Sequence, residues 1–287
     1  MTTFEAVLLG IVQGIFMFFP VSSTSHLALT QHWLIQRGAE LPAPESAEMI
    51  LFDLVVHVGT LVSIAIVLRR SIAHYLRSLT RDVLGGADAA APLHQRLYIR
   101  LTAWGLAAVF VTGVVGLALK DVFEQVFAHP LAMTGTLTLT GVLLYWTDTF
   151  KRQPRGLKQL SLWVAIVIGL AQAAALIPGL SRSGMTIAFG LIVGLKRRWA
   201  AEFSLFIAFP TIIAATGVQA LSVFRDELPR QIGAWPLFVG FVTAAVVGAL
   251  ALTLVLHLLY RARFRYFSYY VWLLAAVIAV AALLGYM

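Results

Sequence analysis

The residues best suited to chemistry form a polar turn between two uncharged apolar runs. The runs at 160–177 and 187–195 carry no charged side chain, whereas the segment between them reads Pro-Gly-Leu-Ser-Arg-Ser-Gly-Met-Thr over 178–186. A guanidinium at membrane depth costs about 2.5–3.5 kcal/mol on insertion scales, so Arg182 is expected to face an anion. The proline and glycine end one helix, and the next run begins another whose first N–H groups face the turn. Together these features predict a phosphate site. Its expected members besides Arg182 are Ser181, Ser183, Gly184 and Thr186.

A second polar turn follows the first apolar stretch of the chain. The stretch at 4–19 is too short to cross a bilayer and ends at Pro20, after which Ser22, Ser23, Thr24 and His26 follow closely. Ser23 and His26 are about one helical turn apart and can share a face. The serine could act as a nucleophile or bind phosphate, and the histidine could act as a general base or protonate the leaving lipid phosphate. The alternatives are a helix-capping serine and a structural histidine. Ser22 and Thr24 are further candidate phosphate ligands.

The two turns resemble each other. Gly10-x-x-Gln13, then Pro20 and a serine run, aligns with Gly169-x-x-Gln172, then Pro178 and a serine run. This pattern predicts an inverted repeat whose broken helices meet near the bilayer midplane and present their N-termini to an anion. Chance similarity between two glycine- and serine-rich turns is the alternative. Gln13 could orient water or a phosphate oxygen but cannot serve as a base.

The composition is that of a polytopic membrane protein. The chain has 287 residues, of which 60% are hydrophobic and 12% charged, with no cysteine, and a mean hydropathy of +0.88. We predict an all-α fold with six transmembrane helices and two re-entrant helical hairpins, in a single domain of 1–287. The repeats would cover about 1–147 and 155–287. The expected spans are 50–68, 101–119, 130–147, 202–222, 236–258 and 268–286.

The net charge of +8 follows membrane topology and does not predict a nucleic-acid partner. With six crossings, sixteen Lys and Arg residues fall in one set of loops and four in the other, which places the first set in the cytoplasm. Both termini would then lie outside. The loop at about 69–100 would be cytoplasmic, with a flexible stretch at 85–92 and arginines that could contact anionic lipid. The sequence indicates no oligomeric state.

These motifs resemble the undecaprenyl-diphosphate phosphatase family of the BacA/UppP type over nearly the whole chain. The resemblance rests on Pro-Gly-x-Ser-Arg-Ser-Gly-x-Thr at 178–186 and Phe-Pro-Val-Ser-Ser-Thr-x-His at 19–26, with supporting segments at 52–60 and 200–204. It implies interlocked inverted repeats in the bacterial inner membrane and a site open to the outer face. It also implies removal of the terminal phosphate of undecaprenyl diphosphate, which recycles the lipid carrier for peptidoglycan synthesis. The implied catalytic residues are Ser23, His26 and Arg182, and the implied cofactor is Mg²⁺ or Ca²⁺.

One position departs from the family pattern. The family's (Glu/Gln)-x-x-x-Glu motif reads Gln13-Gly-Ile-Phe-Met17 here, so methionine replaces the glutamate associated with metal and hydrolysis. A thioether neither binds a hard cation well nor moves protons. Three functions therefore stay open. The first is a phosphatase that relies on Ser23, His26 and Arg182, and the second is a transporter or flippase of a polyprenyl phosphate or another amphiphilic anion. The third and weaker one is a non-catalytic scaffold or regulator of envelope synthesis. Asp53 and His57 share a helix face and could form a structural or a proton-handling pair, of which we favour the structural one.

Overall fold

The structure is a computed structural model, and it describes residues 1–44, 46–84, 96–119, 130–150, 153–225, 232–261 and 264–283. In these residues it consists of eleven α-helices and one short 3₁₀ turn, Leu157–Gln159, without a β-strand. The helices are α1 Thr3–Phe16, α2 Ser23–Gln36, α3 Ala47–Val67, α4 Arg69–Leu84, α5 Leu97–Ala118, α6 Pro130–Thr147, α7 Leu162–Ala174, α8 Arg182–Ile192, α9 Arg197–Arg225, α10 Ala234–Arg261 and α11 Arg265–Leu283.

Five of these helices are long and apolar enough to cross a membrane, which makes the chain an integral membrane protein. They are Ala47–Val67, Leu97–Ala118, Arg197–Val218, Ala234–Leu258 and Arg265–Leu283. Each matches one of the predicted spans to within a few residues, so the all-α polytopic fold class is confirmed. The sixth predicted span coincides with α6, a helix of 18 residues that is not among these five. The count of six and the repeat therefore stay predictions, and the flexible stretch predicted at 85–92 lies outside the described residues.

The described chain divides into two compact units. The first consists of Met1–Val67 and Phe209–Leu258, and the second of Leu68–Ala208 and Leu259–Met287. Helix α9 therefore contributes its beginning to the second unit and the remainder, from just before Pro210, to the first. The first polar turn belongs to the first unit and the second polar turn to the second unit.

In the first unit, α1 and α2 form a helical hairpin that packs on α10. Helix α1 has 14 residues, about 21 Å of helix, which is shorter than the ~30 Å hydrocarbon core. Its start is fixed by a capping box, in which the Thr2 N–H donates to the Glu5 carboxylate and the Glu5 N–H donates to the Thr2 hydroxyl. A Cβ atom at Gly10 would lie 2.8 Å from the carbonyl oxygen of Gly240, so α1 approaches α10 as closely as two backbones allow.

In the second unit, α7 and α8 form the second predicted helical hairpin. Ser161 caps α7, because its hydroxyl accepts from the Val164 N–H. Helix α7 packs on α5 through Gly169, where a Cβ would lie 2.7 Å from the carbonyl oxygen of Ala108. Each hairpin thus uses its first motif glycine for close helix packing, and each first helix is short. This common local geometry agrees with the repeat read from the sequence without establishing the symmetry that relates the two copies.

Candidate active site

The first polar run is not a loop but the first turn of α2. The helix begins at Ser23, so Ser23, Thr24 and His26 are helical, whereas only the segment before them forms the turn. Ser22 immediately precedes the helix with φ +67°, and it is the one non-glycine residue of the described chain with positive φ. A serine in this region is strained, and such strain persists where the surroundings hold the backbone in place. The Ser22 hydroxyl is buried against the Ser25 hydroxyl at 3.0 Å, while Thr24 is exposed.

The backbone carbonyl of Ser22 determines which nitrogen of the His26 ring carries the proton. His26 Nδ1 lies 2.7 Å from the Ser22 carbonyl oxygen, and a carbonyl can only accept, so Nδ1 carries the proton. In the neutral ring this places the lone pair on Nε2, the atom that a general base uses. The ring is buried and stacks on Phe16, with centroids 3.7 Å apart. The strained backbone of Ser22 therefore carries the carbonyl group that fixes the tautomer and the orientation of the His26 ring.

Met17 lies between Gln13 and Ser23. Its sulfur accepts from Gln13 Nε2 at 3.5 Å and from the Ser23 hydroxyl at 4.0 Å, both weak contacts for a thioether. The Gln13 Oε1 atom is buried and has no hydrogen-bond partner in the described chain. The family's glutamate position thus sits against a buried amide and the candidate nucleophile. A carboxylate there would accept both hydrogen bonds.

These side chains do not make a cage for a hard divalent cation. Such ions take carboxylate, carbonyl and water oxygens, and this turn offers one amide oxygen, hydroxyls and a thioether. Two carboxylates of the same unit are used elsewhere: Glu5 caps α1, and Asp53 accepts from Gln31. In the portion of the chain that is described, no group of three His, Asp or Glu residues could hold a metal ion. The Mg²⁺ or Ca²⁺ of the family resemblance stays a prediction.

The second polar run enters a helix earlier than the sequence predicts, because α8 begins at Arg182 and not with the apolar run at 187. Ser181 precedes α8, and its buried hydroxyl accepts from the Gly184 N–H at 3.2 Å. Its oxygen also lies 3.4 Å from the Ser183 hydroxyl. Arg182 is the first helical residue and is half-buried. Among the described residues, its guanidinium makes no ion pair. The N-terminal end of α8 therefore carries this positive charge in addition to the helix dipole, without an acidic partner in the described chain.

Two threonines of α6 hold this turn, and the sequence did not single them out. Thr140 is buried, and its hydroxyl donates to the Gly179 carbonyl at 3.2 Å and accepts from the Ser181 N–H at 3.3 Å. Thr136 donates to the Pro178 carbonyl at 2.6 Å. These backbone groups lie beyond the end of α7, where no helical partner remains for them. In the sequence, these threonines are four positions apart on an apolar helix. That spacing alone does not predict a contact with the turn.

Thr186 and Ser204 form a fully buried hydroxyl pair behind the turn. Their oxygens lie 2.5 Å apart, and the Thr186 hydroxyl also reaches the carbonyl of Arg182 at 2.8 Å. Thr186 therefore supports the first turn of α8 from inside, and its predicted contact with substrate stays a prediction. Ser204 belongs to the segment at 200–204 noted in the sequence, and the structure assigns it this packing contact.

Asp53 connects the first hairpin to α3. Its carboxylate accepts from Gln31 Nε2 on α2 at 3.1 Å, and its backbone carbonyl accepts from His57 Nδ1 at 2.7 Å. The carboxylate thus bonds to α2, the helix that begins with Ser23. This arrangement agrees with the structural role favoured from the sequence.

Comparison with known proteins identifies the family to which this arrangement belongs. The family model described as bacitracin resistance protein BacA matches residues 6–277. A protein named undecaprenyl-diphosphatase from Alkalilimnicola ehrlichii is 58% identical over 97% of this chain and 96% of its own length. A protein of the same name from Halorhodospira halophila is 55% identical over 97% of both chains, and one from Rubrobacter xylanophilus is 35% identical over 98% of both. The family resemblance read from the two motifs is confirmed: the chain belongs to the BacA family of bacitracin resistance proteins.

Proposed function

We propose that this protein is an undecaprenyl-diphosphatase, a membrane hydrolase that releases the terminal phosphate of undecaprenyl diphosphate and leaves undecaprenyl phosphate. The support comes from relatives of that name at 55–58% identity over nearly the whole chain, together with the two polar turns. The substrate is a polyprenyl diphosphate lipid. Its product would return to the pool of lipid carrier used in cell-wall synthesis.

The Arg182 turn binds the diphosphate. A guanidinium forms paired hydrogen bonds to phosphate oxygens, and the N-terminal end of α8 adds backbone donors and a favourable dipole. Ser183 is half-buried at the same end and is a further donor, whereas Ser181 and Gly184 shape the turn by capping the helix. Because no acidic residue of the described chain pairs with Arg182, its charge is available to a negative ligand.

The Ser22–His26 turn performs the hydrolysis. Ser23 Oγ attacks the terminal phosphorus, its proton passes to His26 Nε2, and the bond from that phosphorus to the bridging oxygen breaks, which releases undecaprenyl phosphate. The protonated His26 gives this proton to the leaving undecaprenyl phosphate. A water molecule then gives a proton to the neutral histidine and attacks the phosphoserine, and the histidine returns that proton to Ser23 Oγ as inorganic phosphate leaves. Gln13, Ser22 and Thr24 would orient the phosphate oxygens or the water. The single observation that carries this mechanism is the 2.7 Å bond from His26 Nδ1 to the Ser22 carbonyl, because it leaves Nε2 as the base.

The test is phosphate release from undecaprenyl diphosphate by the purified protein in detergent, with and without Mg²⁺ or Ca²⁺. We expect measurable release by the unaltered chain and a loss of about 10²–10⁴-fold in kcat for Ser23→Ala and His26→Gln. His32→Gln, which alters an exposed histidine of the same helix, is the matched control and should keep its activity. Absence of release by the unaltered chain under every metal condition, with binding retained, would favour the transport alternative, which nothing in the comparisons supports.

The same proposal includes localisation in the bacterial inner membrane, with both termini outside and the site open to the outer face. The asymmetry of basic residues supports this orientation. Since the chain has no cysteine, single cysteines can be introduced at Thr3 and at Ser78 and labelled in intact cells with an impermeant maleimide. We expect labelling at Thr3 and protection at Ser78, and the reverse pattern would refute the orientation.

A further inference from the structure

Helix α4 is amphipathic and differs from its neighbours. It has 16 residues, about 24 Å of helix, and no residue of it is buried. One face carries apolar residues spaced by four, three and four positions, and the largely opposite face carries most of the positive charge. The apolar residues are Ile72, Leu76, Leu79 and Val83, and the basic ones are Arg70, Arg77 and Arg81, with Arg69 at the helix start. Leu76 and Val83 are 52% and 60% exposed.

Side-chain contacts hold α4 beside the first turns of a membrane span. The Tyr75 hydroxyl lies 2.5 Å from the Thr102 hydroxyl of α5, and the Tyr75 ring packs on Phe206 at 5.1 Å between centroids. The Asp82 carboxylate accepts from the Tyr98 N–H at 2.9 Å. Helix α5 is a candidate span that begins at Leu97. Because Tyr98 and Thr102 belong to its first turns, α4 lies at the level where that span enters the membrane.

The positive charge of Arg70, Arg77 and Arg81 is not neutralised by the described residues. The one acidic residue of α4 is Asp82. Its carboxylate accepts from a backbone N–H of α5, and its backbone carbonyl accepts from the Arg96 side chain. Within the described ranges, no carboxylate lies at ion-pair distance from Arg70, Arg77 or Arg81. A helix with a strong apolar face, a basic polar face and low overall hydropathy is typical of segments that lie in the membrane interface. Clustered arginines at that depth attract anionic lipid.

We propose that α4 is a membrane-surface helix that binds anionic lipid headgroups. Leu76 and Val83 enter the boundary between headgroups and acyl chains, while Arg70, Arg77 and Arg81 contact the headgroup phosphates. Of the possible occupants of this face, a lipid surface fits best, because the helix is fixed at the end of a span and combines exposed apolar side chains with positive charge. This inference does not depend on the hydrolytic activity proposed above.

The depth of the helix can be measured in the full-length protein. Since the chain has no cysteine, a nitroxide label can be attached at Leu76→Cys, Val83→Cys and Arg77→Cys in turn, in nanodiscs of phosphatidylcholine with phosphatidylglycerol. We expect labels at 76 and 83 to collide more with oxygen than with a water-soluble nickel chelate, and the label at 77 to show the reverse. Labels at 76 and 83 that are fully accessible to nickel would overturn the proposal, because the face would then await a protein partner. Dipolar broadening between copies at these labels would overturn it in favour of a second copy.

The lipid preference is tested with the triple variant Arg70→Gln, Arg77→Gln, Arg81→Gln. The fraction of spin-labelled phosphatidylglycerol immobilised by the protein, relative to spin-labelled phosphatidylcholine, should fall about twofold or more. The control variant Arg155→Gln, Lys158→Gln, Arg198→Gln removes the same total charge from other segments and should change the ratio less. Equal ratios in the two variants would show that α4 has no special role and would refute the proposal. The depth measurement keeps the proposal testable should the triple variant fold poorly.

Discussion

The sulfur of Met17 lies 3.5 Å from the amide nitrogen of Gln13, on the side of the first turn where Ser23 also points its hydroxyl. A weak acceptor thus receives two donors that a carboxylate would bind strongly. The relationship identifies Met17 as the position at which a single substitution should change the chemistry most.

Met17→Glu is expected to increase phosphate release from undecaprenyl diphosphate by at least about tenfold. A carboxylate at this position would accept from Gln13 and Ser23 and could take up a proton, and general-base catalysis contributes about 10²–10⁴-fold. The measurement is kcat for phosphate release, with and without Mg²⁺ or Ca²⁺. Met17→Gln has the same shape without the charge and is the control. If both variants gave the same rate, the gain could not be assigned to a carboxylate.

Arg182→Ala is expected to weaken binding of a prenyl diphosphate by at least about 100-fold, because each charge-assisted hydrogen bond contributes about 1.5–3 kcal/mol. Arg182→Lys should restore part of this loss, since it keeps the charge and loses the paired geometry. Binding is measured by titration of the detergent-solubilised protein. Arg37→Ala, at an exposed arginine, is the control. Unchanged affinity in Arg182→Ala would contradict the assignment of this turn as the anion site.

Thr140→Val is expected to destabilise the protein by about 2 kcal/mol and to raise KM. Valine matches the shape of threonine, but it leaves the Gly179 carbonyl and the Ser181 N–H without partners in a buried place, which costs about 1–3 kcal/mol per group. Thermal unfolding and the kinetics of phosphate release are the measurements. Thr138→Val alters an exposed threonine of the same helix and should have little effect. A variant with normal KM would mean that the turn keeps its shape without Thr140.

Asp148→Asn is expected to reduce stability by about 1.5–3 kcal/mol, the contribution of a hydrogen bond to a charged group, because its partner Arg197 is 26% exposed. The carboxylate is 3% exposed, pairs with Arg197 at 3.1 Å and accepts from the backbone N–H of Arg265 at 3.0 Å, so it joins the ends of α6, α9 and α11. Glu202→Gln breaks the more exposed pair with Arg198 and should change stability by less than about 1 kcal/mol. The comparison is made by thermal unfolding in one detergent. Equal shifts in the two variants would mean that burial of the Asp148 pair adds nothing.

Local sequence was sufficient for the membrane spans and for the two helix breaks. Apolar runs of known length predict spans, and Pro178 and Gly179 predict the break after α7, because these effects act within a few residues. The starts of α2 and α8 are both earlier than the sequence predicts, because the polar runs are helical from Ser23 and from Arg182 onward. Serines favour turns locally, yet the first polar run is helical from Ser23, and only Ser22 takes the strained conformation. The strain at Ser22 occurs together with the stacking of His26 on Phe16 and the hydrogen bond from His26 to the Ser22 carbonyl.

The sequence by itself determined the membrane class, the two motifs and the family, since these depend on hydropathy and on residue types at short spacing. The tertiary structure decided which atoms meet. It assigned the His26 proton to Nδ1, placed Met17 between Gln13 and Ser23, and brought Thr136 and Thr140 of α6 onto the turn before Arg182. The threonine contacts join residues about forty positions apart, and no local propensity encodes them. They follow from the packing of whole helices, through which buried backbone groups beyond a helix end find their hydrogen-bond partners.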